Sequence, residues 1–150
     1  PSHRIIAPDL WGFGRSPHPE STRALPLEAD VELVEDIQSQ IGESIALVGH
    51  SYGGGVAFAY ARRRSARLTS LFGFEPVCFG VLHSMHDEEA LDELHQASVR
   101  PLADDELWME RFIDYWSGAG HWRRMPELQR EHAIRYATRT REVVQALLDD

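Results

Sequence analysis

The chain has 150 residues, of which 43% are hydrophobic and 26% are charged, a composition typical of one globular domain. Its formal net charge of −9 argues against a nucleic-acid-binding protein, because phosphate binding requires a basic face. Cys78 is the only cysteine, which excludes an internal disulfide and a thiolate metal cluster, and no apolar run reaches the roughly 18–20 residues that span a bilayer.

The first residues carry a strand pattern and then a loop. Apolar residues in Arg4–Ala7 predict a short buried strand, and the glycines and prolines that follow predict a loop. The chain begins with Pro1 instead of Met, so we expect both of its ends to lie inside a longer polypeptide. We expect that polypeptide to be cytoplasmic.

An amphipathic helix is predicted next. Apolar residues recur at steps of three and four and stop before Gly42, where a helix would end: Leu27, Val31, Val34, Ile37 and Ile41. The polar residues between them are expected to form the solvent-facing side of this helix: Glu28, Asp30, Glu32, Glu35 and Asp36.

Two further strand patterns flank a second helix. The second predicted strand has the sequence SIALVG, the helix continues over Val56–Arg64, and the third strand, LTSLFGFEPV, ends at Pro76. Strands that alternate with helices through short connections imply a parallel sheet with crossover helices. The predicted fold class is therefore α/β, with three parallel strands.

The corner after the second strand carries the clearest chemical signal. Gly49-His50-Ser51-Tyr52-Gly53 matches G-x-S-x-G between a strand and a helix, where a tight, strained turn makes the serine hydroxyl project from the sheet. A side chain at Gly49 or Gly53 is expected to collide with the neighbouring strand or helix. The helix that follows directs N–H groups and its positive dipole end to the same place, so the Tyr52 N–H can donate to a developing oxyanion.

From about residue 84 the strand patterns stop. Three amphipathic helical patterns follow, separated by Pro101 and Pro126: HDEEALDELHQA, DDELWMERFIDYW and PELQREHAIRYATRTREVVQALLDD. We therefore divide the chain into an α/β part, residues 1–82, and an all-helical part, residues 83–150.

Together these segments resemble the α/β-hydrolase superfamily. RIIAPDLWGFGRSP is similar to the fourth strand of that family and its D-x-x-G-x-G-x-S loop, here Asp9, Gly12, Gly14 and Ser16, for which turn chemistry favours a structural role. SIALVGHSYGG resembles the fifth strand and the nucleophile elbow, and LTSLFGFEPV resembles the sixth strand. Residues 84–150 are similar to a helical cap, so the chain resembles a partial α/β-hydrolase.

The resemblance implies a serine hydrolase that uses no metal or cofactor. Ser51 would be the nucleophile, and His50 would pack or hydrogen-bond beneath the site. Some members carry the triad acid after the sixth strand, the position of Glu75; the alternative is a carboxylate satisfied by nearby backbone N–H groups. The catalytic histidine and the first oxyanion-hole segment are expected outside these 150 residues, so the chain alone is expected to be inactive.

The histidines of this chain are weaker candidates for the base. His121 follows a glycine-rich turn, as family histidines often do, but no strand pattern precedes it. His83, His86 and His95 are expected to be surface residues, because no ligand set closes around them.

Missing partners also affect the expected sheet. The resemblance places an additional strand between Arg4–Ala7 and Ile45–Val48. Without it, either these two segments pair with each other or each keeps an unpaired edge that invites aggregation.

Three functions stay open at this stage. The first is cleavage of a small ester or related bond through an acyl-enzyme, the second is cofactor-free haloperoxidase or C–C hydrolase chemistry, and the third is a non-catalytic binding module that retains the elbow. Aromatic residues of the helical part suggest a lid over a pocket for a small apolar substrate, although packing of the cap explains each of them as well: Trp108, Phe112, Tyr115, Trp116 and Trp122.

Overall fold

The sheet consists of two parallel strands, β1 (Ile45–His50) and β2 (Leu68–Phe74), joined by helix α2 (Tyr52–Arg64) and a 3₁₀ turn (Ser65–Arg67). The computed structural model describes residues 3–18, 26–100, 102 and 104–149. The register pairs the last residues of the two strands, so both strands end at the same edge of the sheet. The parallel pairing and the crossover helix confirm the predicted α/β class.

Helix α1 (Pro26–Ile41) packs against α2, and the predicted apolar stripe is buried at Val31 and half-buried at its other members, Leu27, Val34, Ile37 and Ile41. Val31, Val56 and Tyr60 form the buried centre of this part of the chain. The expectation for the polar side of α1 is wrong at Asp30, which has 0% of its surface exposed. Its charge is tolerated in the interior because partners from other elements contact both carboxylate oxygens, as described below.

The predicted first strand is not formed. Arg4–Ala7 has no strand pairing, its residues are exposed, and it does not join β1 in the sheet. A strand exists only through hydrogen bonds to a neighbour, and the described residues offer this segment none. The prediction of three parallel strands is therefore wrong by one strand, and the outcome is the unpaired edge and not direct pairing with β1.

One face of the small sheet is covered and the other is open. Leu47 and Leu68 pack towards the α1–α2 core. On the opposite face, Val48 is 77% exposed and Phe72 is 61% exposed. Parallel sheets are normally covered on both faces, so this apolar face is unusual for an isolated folded unit.

From Gly80 onwards the described part of the chain consists of helices and their connections, as predicted. Its elements are α3 (Gly80–Met85), α4 (Glu88–Ser98), α5 (Asp105–Ser117), α6 (His121–Arg124), α7 (Glu127–Arg135) and α8 (Ala137–Asp149). The last predicted helical pattern is divided into α7 and α8 at Tyr136, where the backbone leaves the helical conformation. No helix in the described ranges is both long and apolar enough to cross a membrane.

Two clusters form the interior of the helical part. One joins α4 to α8 through Leu94, Val144 and Leu148, and the other surrounds Trp108 and Trp122. Phe79 and Leu82, which belong to the end of the predicted α/β part, pack against the first of these clusters. The division into two parts stays a prediction.

Candidate active site

Ser51 lies on the sharp turn between β1 and α2. Its backbone angles, φ 51° and ψ −122°, are in a region that non-glycine residues rarely occupy. The Ser51 N–H donates to the carbonyl of Phe74 at 3.0 Å, and the Ser51 carbonyl accepts from the N–H groups of Gly54 at 2.9 Å and Val77 at 3.2 Å. The end of β2, the segment just after it and the first turn of α2 therefore hold the strained turn in place.

The two outer glycines of the motif have different environments. A Cβ at Gly49 would lie 2.3 Å from the carbonyl oxygen of Gly53, so the close approach of β1 to α2 requires glycine there. A Cβ at Gly53 would meet nothing within 4 Å among the described residues. The expectation of a collision is confirmed for Gly49 and is wrong for Gly53, because Gly53 faces open space beside the turn.

Tyr52 combines two roles at the start of α2. As the first residue of the helix it has a backbone N–H with no intrahelical partner, next to Ser51. Its side chain points inward, where the phenol donates to Asp30 Oδ2 at 2.7 Å. Burial, and then the adjacent Asp30 carboxylate, raise the pKa of Tyr52, so the phenol stays protonated and remains a donor.

Glu75 and His50 stand at the same edge of the sheet as Ser51. His50 and Phe74 are paired in the register, so the residues that follow them, Ser51 and Glu75, lie side by side where β1 and β2 end. The Glu75 carboxylate is 75% exposed and its Oε2 lies 3.9 Å from His50 Nε2, while the His50 ring also contacts Phe74. Glu75 has a positive φ of 46°, the second non-glycine residue at this edge in an uncommon conformation.

The loop with the D-x-x-G-x-G-x-S pattern is held by its own hydrogen bonds. The Asp9 carboxylate accepts from the N–H of Arg15 at 3.0 Å, and the Ser16 hydroxyl donates to the Asp9 carbonyl at 2.7 Å. A Cβ at Gly14 would lie 2.3 Å from the Asp9 carboxyl carbon. These contacts support the structural role favoured by the turn chemistry.

Several of the other described histidines make contacts outside the elbow. His18 contacts Glu142, His83 bonds to the carbonyl of Leu148, and the His132 ring packs on Tyr136. His121 begins α6, where its N–H donates to the carbonyl of Gly118. Among the described residues, no group of three or more His, Cys, Asp or Glu side chains is placed to hold a metal ion.

The cap aromatics divide into buried and exposed members. Trp108 and Trp122 are buried inside the helical part, which supports a packing role for these two. Trp116 is partly exposed and stacks on Phe79, with the ring centroids 6.3 Å apart. Phe79 follows Val77, whose N–H bonds to the Ser51 carbonyl, so a short run of chain connects this aromatic pair to the elbow.

Asp30 is the residue beneath the elbow that sequence reasoning missed. It was grouped with the solvent-facing side of α1, yet it lies three residues after Leu27 and four before Val34, which is also the spacing of the apolar stripe. That spacing was the available signal. Arg139 on α8, whose side chain is 3% exposed, was not singled out either, and it lies 3.6 Å from Asp30.

Comparison with known proteins yields one family. The sequence matches the alpha/beta hydrolase family over residues 2–148. It is 37% identical to a 2-hydroxymuconate semialdehyde hydrolase of Pseudomonas sp. (strain CF600), in a match covering 67% of this chain and 45% of the relative. It is 29% identical to an epoxide hydrolase of Caballeronia sordidicola, over 77% of this chain and 38% of the relative.

A proline iminopeptidase of Saccharolobus solfataricus is 37% identical over 45% of this chain and 22% of the relative. The chain thus spans less than half the length of each of these three proteins. No solved structure matches it.

Proposed function

The chain belongs to the α/β-hydrolase family, and from that premise we propose that the protein hydrolyses a small apolar ester or a related bond through an acyl-enzyme at Ser51. The observation that carries the proposal is the backbone of Ser51, with φ 51° and ψ −122° at the junction of β1 and α2. Strain of this kind persists where the surrounding structure enforces it, and it is characteristic of functional sites.

The geometry supports an acyl-transfer sequence. The Ser51 oxygen attacks the carbonyl carbon of the substrate, and its proton passes to a histidine base. The negative charge that develops on the carbonyl oxygen is stabilised by the Tyr52 N–H and the positive end of α2. The bond between the carbonyl carbon and the leaving group then breaks as the leaving group takes the proton from the histidine. Water attacks the acyl carbon and gives a proton to the histidine, and the bond to Ser51 breaks as the histidine returns that proton to the Ser51 oxygen.

Glu75 is proposed as the acid that orients this histidine. Its carboxylate stands at the end of β2 beside Ser51 and is largely exposed, which leaves room for an imidazole to approach. A carboxylate in this position would stabilise the imidazolium that forms when the base takes the serine proton. Glu75→Gln is expected to lower kcat, while Glu75→Asp is expected to retain part of the activity.

Labelling of the full-length protein with a fluorophosphonate tests the central step. The wild type and the control Ser117→Ala, which alters an exposed serine at the end of α5, should be labelled equally. Ser51→Ala should not be labelled. If the wild-type protein is not labelled at Ser51, the acyl-enzyme proposal is rejected and the non-catalytic binding module becomes the better explanation.

One relative favours C–C hydrolase chemistry as a second candidate. The Pseudomonas protein is named for 2-hydroxymuconate semialdehyde, a substrate whose name contains no ester. The two candidates are separated by comparing kcat/KM for an activated ester with that for 2-hydroxymuconate semialdehyde. A higher value for the semialdehyde would replace the ester proposal.

A further inference from the structure

A buried carboxylate lies directly beneath the candidate oxyanion donor. Asp30 on α1 is 0% exposed, and both of its oxygens are engaged. Oδ2 accepts from the Tyr52 phenol at 2.7 Å, and Oδ1 accepts from the backbone N–H of Trp11 at 2.9 Å. Asp30 therefore joins the first residue of α2 to the loop that follows residue 9.

Helix α8 supplies the counter-charge. Arg139 Nη2 lies 3.6 Å from Asp30 Oδ2, and Arg139 Nε donates to the carbonyl of Trp11 at 2.8 Å. The guanidinium also lies over the Phe13 ring, 5.8 Å from its centroid. A Cβ at Gly12 would come within 2.9 Å of Arg139 Cδ, so the loop closes tightly over the arginine stem. We call Asp30, Tyr52, Trp11 and Arg139 the Asp30 network.

The network fixes the residue next to the nucleophile by its side chain. Backbone hydrogen bonds of Ser51 with Phe74, Gly54 and Val77 hold the turn, and they also orient the Tyr52 N–H, because that N–H shares a peptide plane with the Ser51 carbonyl. The Tyr52 phenol is anchored to a carboxylate that is itself held by two other segments of the chain. Asp30 thus holds the first residue of α2 against the loop that follows residue 9, and a shift of that residue would displace the Tyr52 N–H.

We propose that Asp30 is a positioning residue that, with Arg139, holds Tyr52 where the Tyr52 N–H faces the oxyanion. Asp30 thereby couples helix α8 of the cap to the reactivity of Ser51. This inference rests on the proposed acyl-enzyme function. The charge balance agrees with it. Burial raises the pKa of Asp30, whereas the Tyr52 phenol, the Trp11 N–H and the Arg139 charge lower it, so the carboxylate depends on the network for its ionised form.

The test is a double-mutant cycle between Tyr52 and Arg139 in the full-length protein. Tyr52→Phe removes the phenol hydroxyl and keeps the ring and the backbone N–H. Asp30→Ala is less suitable, because it would leave the buried Arg139 charge with only Glu142, 3.8 Å away, as a carboxylate partner, and it is expected to unfold the protein. The readouts are kcat and KM for an activated ester and the rate of fluorophosphonate labelling of Ser51. All are measured where circular dichroism shows each variant to be folded.

Tyr52→Phe is expected to lower kcat and the labelling rate about tenfold, with KM changed less than about twofold. This is smaller than the 10² to 10³ that complete loss of an oxyanion donor costs, because the N–H is displaced and not removed. Arg139→Gln is expected to have a similar effect, and the double variant should be no slower than the slower single variant. If Arg139→Gln does not fold, Arg139→Lys takes its place in the cycle, because it breaks the bond to Trp11 and keeps the charge.

The matched control is Arg141→Gln. Arg141 lies two residues further along α8 and pairs with Asp105 at 2.7 Å within the cap. Its effects should multiply with those of Tyr52→Phe, because it does not contact the Asp30 network.

The outcomes separate the two proposals. If the wild type is labelled at Ser51 but Tyr52→Phe reacts at the wild-type rate, the positioning role is rejected and the acyl-enzyme proposal stands. The same conclusion follows if the effects of Tyr52→Phe and Arg139→Gln multiply as independent changes. If the wild type is not labelled, the acyl-enzyme proposal fails, and the positioning role fails with it.

Discussion

Two alanine substitutions in the same motif are expected to have opposite effects on stability. A Cβ at Gly49 would lie 2.3 Å from the Gly53 oxygen and 2.7 Å from both the Gly53 carbonyl carbon and Gly54 Cα. All three are backbone atoms of the first turn of α2. A Cβ at Gly53 has no neighbour within 4 Å in the described part of the chain.

The size of each effect follows from these contacts. Ordinary contact begins at 3.4 Å, so Gly49→Ala would require the start of α2 to move by about 1 Å. Overpacking of this kind costs about 1–3 kcal/mol, and we expect the upper end because the colliding atoms are backbone. Gly53→Ala lies in a helix with open space around it, where alanine is favoured over glycine by roughly 0.5–1 kcal/mol.

Urea unfolding and thermal unfolding of the full-length protein measure both effects. With a shift of about 2–4 °C per kcal/mol for a domain of this size, Gly49→Ala should lower Tm by about 6–12 °C and Gly53→Ala should raise it by about 1–4 °C. Equal losses for the two variants would refute the reasoning, because they would show that the motif as such, and not the contact at Gly49, requires glycine. A Gly49→Ala protein as stable as the wild type would refute it as well.

Three further predictions concern other parts of the chain. The Asp114 carboxylate accepts hydrogen bonds from the N–H groups of Trp122 and Gly120. These bonds lower the pKa of Asp114 below the ordinary 3.8, and the bond from Trp122 has the larger effect. Its stabilising contribution is therefore complete above about pH 5 and is lost as the pH falls through the pKa of the folded state. The stability difference between wild type and Asp114→Ala should shrink on acidification, and a constant difference would contradict this. Because Trp108 is fully buried, Trp108→Ala should lower the free energy of unfolding in urea by about 3–5 kcal/mol. A loss below about 1 kcal/mol would show that the cap interior is loosely packed. The 150-residue chain alone should aggregate through its open sheet face, and Phe72→Thr should increase its soluble fraction. The same chain should give no acyl-enzyme burst with an activated ester. A monomeric, cooperative unfolding transition of the unchanged chain would contradict the first expectation, and a burst that Ser51→Ala abolishes would contradict the second.

Local sequence patterns were sufficient to predict those features whose conformation is determined by residues nearby in the chain. The apolar spacing of α1 depends on contacts three and four residues apart, and the helix is found where that spacing predicts it. The corner at Ser51 is equally local, because a glycine-flanked serine between an apolar run and a helix already specifies a tight turn. The family, the α/β class and the candidate nucleophile could therefore be predicted from sequence.

Tertiary contacts decided the features that depend on distant partners. Arg4–Ala7 has the composition of a strand, but a strand requires a neighbour that local sequence does not identify, and the segment is unpaired. Asp30 has the chemistry of a surface residue, and its burial depends on Arg139, which is 109 positions away in the chain. The spacing within α1 could place Asp30 on the apolar side of the helix. It could not identify the distant groups that stabilise the buried charge beneath the elbow, because those groups lie on other elements.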